Sequence, residues 1–241
     1  MAKSSSSWIR ILAILALTLA IWVSAAHAGA QFKISDGVTT VTVLDNGPGD
    51  SDPTVGVILY APGGGGPFPG LLVTVDTGIS KPVHPFPGTI DLSAIEVTST
   101  SAGAQNFILQ LSDTDFSFPQ GATHLVMSLG GTLTGSGNTI SFDGYEDNTN
   151  TIFGTSGLHI GPATFGPGAF SGLLLAGSFP VAPYSLTEIV SIHFAGPGVT
   201  SFDTELRVVP EPATLTLLGL GVLGLAACAW RRRKEEASPT R

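Results

Sequence analysis

Phe202, Thr204, Leu206 and Val208 alternate with Asp203, Glu205 and Arg207, a rhythm that predicts a strand with one buried face. Leu71, Val73 and Val75 share a face in the same way. Further β-branched and apolar runs occupy 39–44, 107–111, 123–129, 139–142 and 173–175, separated by Gly, Pro, Asn and Asp clusters that read as turns. About ten strands of this kind predict an all-β fold, an antiparallel β-sandwich of jelly-roll-like form. One segment fits two periods. Leu186, Ile189, Val190, His193 and Phe194 match a helical stripe, but the Val, Ile and Ser content of the run favours a strand.

The two ends of the chain follow a different pattern. Lys3 and Arg10 precede an apolar run, Ile11 to Val23, too short to span a bilayer comfortably and suited to the core of a signal peptide. Ala26 and Ala28 supply the small-x-small signature of signal peptidase, which predicts cleavage after Ala28. At the other end, residues 213–230 are apolar and would make a helix of about 27 Å, enough for a bilayer core. Arg231, Arg232, Arg233 and Lys234 follow it as a cytoplasmic stop-transfer cluster. The expected organisation is a signal peptide over 1–28, an ectodomain over 29–209, a sorting and anchor segment over 210–234 and a cytoplasmic tail over 235–241.

Charge sharpens this division. Most of the cations lie in the two ends, leaving Lys33, Lys81 and Arg207 against fifteen carboxylates in residues 29–209, a net of −12. So acidic a domain offers no patch for phosphate neutralisation, which argues against nucleic-acid binding. The single cysteine, Cys228, falls in the apolar tail, so the ectodomain has no disulfide and must rely on its own core.

Pro210, Glu211 and Pro212, followed by the Gly- and Leu-rich apolar run and the basic cluster, resemble the PEP-CTERM sorting signal of Gram-negative bacteria. The same kind of tail is sometimes labelled the C-terminal domain of ice-binding proteins; the ectodomain lacks the fixed-period repeat of β-helical ice-binders. The resemblance implies recognition by an exosortase-type membrane protease, transient anchoring through 213–230 and delivery to the cell surface or medium, in systems that accompany exopolysaccharide and biofilm. The prolines agree with that implication physically, because they keep Glu211 extended and outside the helix. Several ectodomain phrases, such as Ile34-Ser35-Asp36-Gly37, are similar to segments of uncharacterised PEP-CTERM ectodomains.

Signals for chemistry are sparse. Asp45, Asn46, Asp50 and Asp52 gather hard oxygen donors suited to Ca²⁺, though no Glu closes an EF-hand loop and turn formation explains the same composition. Asp143-Gly144-Tyr145-Glu146-Asp147-Asn148 reads as a second such loop. Asp113 and Asp115 are expected on one strand face, the arrangement of a glycosidase pair or of an edge guard. His84, His124, His159 and His193 stand singly, without zinc spacing, and no G-x-S-x-G or phosphate loop occurs. Tyr60, Tyr145 and Tyr184 are candidates for a sugar-binding face. No cofactor other than Ca²⁺ is implied. The leading expectation is a non-enzymatic surface or matrix protein associated with exopolysaccharide; the alternatives are a calcium-dependent carbohydrate-binding module and a secreted polysaccharide hydrolase.

Overall fold

The computed structural model describes residues 29–62, 66–121 and 123–210, together with Gly221 and Leu223 of the tail. Twelve strands fill the domain: β1 (Gln31–Ser35), β2 (Thr40–Leu44), β3 (Val57–Tyr60), β4 (Leu71–Ile79), β5 (Thr89–Ser99), β6 (Gln105–Phe116), β7 (Thr123–Leu133), β8 (Thr139–Asp147), β9 (Leu158–Phe165), β10 (Gly168–Ser178), β11 (Tyr184–Phe194) and β12 (Gly198–Pro210). All pairings are antiparallel. The first sheet runs β2-β1-β6-β11-β8-β9 and the second β10-β7-β12-β5-β4-β3. From β5 onward the chain crosses repeatedly between the sheets, which gives the sandwich its jelly-roll-like course.

Alternation decides which residues meet between the layers. On β12, Phe202, Thr204, Leu206 and Val208 turn inward while their neighbours face out. On β6, Phe107, Leu109 and Leu111 do the same from the first sheet. Phe142 of β8 and Phe202 pack edge to face across the interior, 5.5 Å between centroids. Burial of each such ring stabilises the fold by about 1.5–3 kcal/mol, and no disulfide is needed. Gly144 interrupts the inward face of β8 because Leu206 crowds it: a Cβ there would lie 2.7 Å from Leu206 Cδ1.

The ambiguous run at 186–194 is strand, β11, between β6 and β8. Its alternation is obscured because charged Glu188 faces inward and apolar Ile189 faces outward. The β8–β9 loop folds over the outside of the sheet, where Phe153 N donates to Ser112 Oγ and Ser112 meets Thr187 Oγ1 at 2.8 Å. Thr187 is therefore as buried as Leu186.

Two sequence expectations are corrected. Residues 143–147 are not a loop but the end of β8, with Glu146 turned inward and buried. Asp113 and Asp115 do not share a face. A bulge opens between β6 and β11 around Asp115, whose φ is +61°, so Asp113 lies inside and Asp115 outside. The predicted leader (1–28), including Ala26 and Ala28, lies outside the described residues. So do Glu211, Pro212 and the basic cluster, and, apart from Gly221 and Leu223, the predicted membrane segment 213–230. Among the described residues, no helix is long and apolar enough to cross a membrane.

Candidate functional site

Both ends of the domain emerge on one side of the sandwich. Register pairs Ser178 with Thr123 and Thr123 with Pro210, while Arg207 stands opposite Thr89. The last ladder residue of β12 is thus the first proline of the Pro-Glu-Pro tripeptide. Gly29 lies at the same end, before Gln31, which stands opposite Ser112 of β6.

Gly29 is held by the buried carboxylate of Asp113. Its backbone nitrogen donates to Oδ1 at 3.0 Å, and Thr114 N donates to the same oxygen at 2.7 Å. The other oxygen accepts from Ser80 Oγ and from Lys81 Nζ at 2.9 Å. All four lone-pair sites are used, which is what a wholly buried carboxylate requires. Asp115, bonded instead to Asn150, is held below the usual carboxylate range by that hydrogen bond. The pair that sequence offered as catalytic is therefore a buried ion-pair anchor and a turn residue.

The loop containing Asp45, Asn46, Asp50 and Asp52 spends its oxygens on its own backbone. Asp45 Oδ2 accepts from Gly56 N, Asp50 Oδ1 from Asp52 N and Leu59 N, Asp50 Oδ2 from Asn46 N, and Asp52 Oδ1 from Thr54 N. Burial raises the Asp45 pKa, whereas the bonds from Thr54 lower that of Asp52. Among the described residues, no three His, Cys, Asp or Glu side chains converge in the manner of a metal site.

A cluster the sequence did not single out lies on the outer face of the second sheet. Glu205 stands between Asp91 on β5 and Ser128 on β7, with Asp203 one step along the same face. These residues line an open groove of about 320 Å³. Burial, and then the nearby Glu205, raise the Asp91 pKa. Glu205 is approached by Arg207 Nε, 3.3 Å from Oε1, and by His84 Nε2, 3.9 Å from Oε2. Outward alternation on both strands was the available signal; their register was not.

The outer face of the first sheet is polar and carries an aromatic stack. Tyr145 and His159 lie parallel, 4.5 Å between centroids, and His159 Nε2 contacts Asp143 Oδ1 at 2.7 Å. Along the same face His193 Nδ1 meets Asn106 Oδ1 at 2.8 Å beside a shallow groove that includes Ser141 and Ser191. Planar rings flanked by hydrogen-bonding groups suit a polyhydroxylated ring, which has both apolar faces and polar edges. Of the three tyrosines expected on such a face, only Tyr145 is there. Tyr60 and Tyr184 are buried in the core, and burial, then Glu146, raise the Tyr184 phenol.

Residues 208–233 match the family model of the PEP-CTERM protein-sorting motif, so the chain carries that signal at its C-terminal end, beginning within β12. No curated protein matches the chain. Among solved structures it is similar to TmCBM61 in complex with β-1,4-galactotriose, at 11% identity over 60% of this chain and 90% of that one, TM-score 0.28. It is similar also to the enzymatically active domain of bacteriophage CBA120 tailspike protein 4, at 16% identity over 57% of this chain and 17% of that one, TM-score 0.29. A structure of carbohydrate-binding modules from the β-sandwich superfamily shares 12% identity over 76% of this chain and 74% of that one, TM-score 0.27.

Proposed function

We propose that this chain is an exported, exosortase-sorted surface or matrix protein whose β-sandwich is the delivered cargo and has no catalytic role. Signal peptidase removes residues 1–28. The segment 213–230 then holds the domain at the membrane, with Arg231 to Lys234 on the cytoplasmic side, until an exosortase-type protease cuts near Pro210–Pro212. The observation that carries this reading is the junction itself: the PEP-CTERM motif starts at residue 208 and the last strand pairs through Pro210. A cut at the tripeptide would leave the sandwich intact. The test is intact-mass spectrometry of the protein from the native host's envelope and medium. A species running from Gly29 to Pro210–Pro212 supports the reading; a form found only in membranes and retaining Arg241 overturns the sorting step.

A role in the extracellular matrix is favoured by the Tyr145–His159 stack on the polar sheet face. Retention of the exported protein on the host's own exopolysaccharide tests it. Indifference to that polymer would leave sorting without a matrix role.

A further inference from the structure

The domain has three strongly exposed phenylalanines, and all lie at the end where the chain leaves for the tail. Phe86 (59% exposed), Phe118 (55%) and Phe179 (71%) sit on the loops before β5, before β7 and after β10. The registers Ser178–Thr123, Thr123–Pro210 and Arg207–Thr89 put those three loops side by side around the end of β12. Phe86, Pro87, Phe118 and Pro119 line an apolar groove of about 240 Å³ whose floor includes Val209 and Pro210. Val181 (65% exposed) adds to the patch next to Phe179, on a loop tied down by Val181 N donating to Asn148 Oδ1 at 2.8 Å. Apolar groups so concentrated on an acidic domain mark a contact surface.

The length of chain beyond Pro210 says what the contact is. Only Glu211 and Pro212 separate Pro210 from the apolar run that starts at Ala213. Even fully extended, three steps reach about 11 Å. A domain tethered that closely must lay its tail-side end on whatever the run enters. The geometry points to a lipid interface as the occupant: Phe86, Phe118, Phe179 and Val181 rest in the headgroup boundary of the bilayer that receives the tail. Aromatic side chains on rigid loops favour that boundary. The acidic loop at 45–56 lies at this same end, where Asp45 N donates to Ala30 O, but it joins β2 and β3, the edge strands of their sheets. With β3 separated from β12 by β4 and β5, its carboxylates sit to the side of the phenylalanine patch. This inference rests on the anchored stage proposed above.

The test uses the tail-bearing chain recovered from membranes of a host without exosortase and reconstituted in phosphatidylethanolamine–phosphatidylglycerol vesicles. In a Cys228→Ser background, Phe179→Cys carries an environment-sensitive fluorophore. Val38→Cys, at the opposite end of the sandwich, carries it as the control. The label at 179 is expected to emit blue-shifted light and to be quenched at least about threefold more by lipid-borne nitroxides than the label at 38, a contrast set by the roughly 5–10 Å depth of interfacial groups. Equal, water-like emission at both sites on chain that floats with the vesicles overturns the inference while leaving anchoring intact. A blue shift without lipid quenching overturns it in favour of a second copy or another protein as occupant. Failure of the chain to float overturns the anchored stage, and the inference with it.

Discussion

The backbone nitrogen of Gly29 donates to Asp113 Oδ1 at 3.0 Å, while Lys81 Nζ holds Oδ2 of the same carboxylate at 2.9 Å. The approach is close: a Cβ at this position would lie 2.8 Å from Thr114 Oγ1 and 3.3 Å from Asp113 Oδ1, so a larger residue would have to displace the Thr114 hydroxyl. Gly29 is also the residue that follows the proposed signal-peptidase site. In a chain starting at Gly29 this nitrogen is an ammonium, and the ordinary amide bond to Asp113 becomes a charge-assisted one.

Processing should therefore stabilise the fold. A chain beginning at Gly29 is expected to unfold about 2–6 °C higher than the same chain retaining Ala28, roughly 1–2 kcal/mol for a domain of this size. The gain is modest because Lys81 already compensates the carboxylate. Free α-amines lose their proton near pH 8, so the gap should be full at pH 6 and shrink at strongly alkaline pH. Thermal unfolding of the two forms, followed by circular dichroism at both pH values, checks it. No gap at pH 6 would mean that the amide serves as well as the ammonium.

In the chain retaining Ala28, Lys81→Met should destabilise by about 3 kcal/mol, since it leaves a buried carboxylate without its countercharge. Adding Asp113→Asn should recover much of that loss, because the uncompensated charge rather than the missing contact is the main penalty. Urea denaturation of the two single variants and the double variant gives the coupling. Additive losses would mean that the pair acts independently.

Glu188 projects from β11 between the sheets, wholly buried, with Thr204 Oγ1 3.4 Å from Oε1 and no partner for Oε2. Burial, and then Asp91, push its pKa well above 4.5. Below pH 4.5 the carboxyl is neutral both folded and unfolded and carries no penalty. As pH rises above that value the unfolded chain ionises while the folded one retains its proton, so stability falls. Glu188→Gln should therefore be more stable than the natural chain at pH 7 and nearly equal to it at pH 4. Melting temperatures across that range decide the matter; parallel curves would show that Glu188 does not set the slope.

Tyr145→Ala should leave the melting temperature within a few degrees, because the side chain lies on an outer face, and should weaken retention on host exopolysaccharide about tenfold or more. That loss corresponds to at least about 1.4 kcal/mol. Affinity electrophoresis in gels containing the polymer measures it. Unchanged migration of the variant relative to the natural chain would remove Tyr145 from any such site.

The legible parts of the fold were those with one wet face. β12 and β4 announce themselves because Phe202, Leu206, Leu71 and Val73 are buried while Asp203 and Leu72 are not. β11 is ambiguous in sequence because a charged residue, Glu188, occupies an inward position and an apolar one, Ile189, the outward position beside it, which breaks the period of two. The run at 139–142 marked the start of β8, but its second half was hidden by composition: Asp143, Gly144 and Asp147 resemble a turn, yet Gly144 is there to admit Leu206. The sorting motif is local in sequence and so was readable directly. The Asp91–Glu205 groove and the Tyr145–His159 stack depend on register between strands distant in sequence, and the split of Asp113 from Asp115 depends on a single positive φ. None of these leaves a trace in spacing.

The place of β12 has a consequence for timing. It is the final strand of the domain to leave a ribosome or an export channel, yet it lies between β7 and β5 in the middle of its sheet. Before residues 198–210 emerge, that sheet exists only as the pair β10–β7 and the trio β5–β4–β3, each with an open edge awaiting the same partner. Closure of contacts so far apart in sequence is slow and must wait for the whole segment. On the export route proposed above, the chain would stay threadable until residues 198–210 had emerged, and the sandwich would close only on the far side of the membrane.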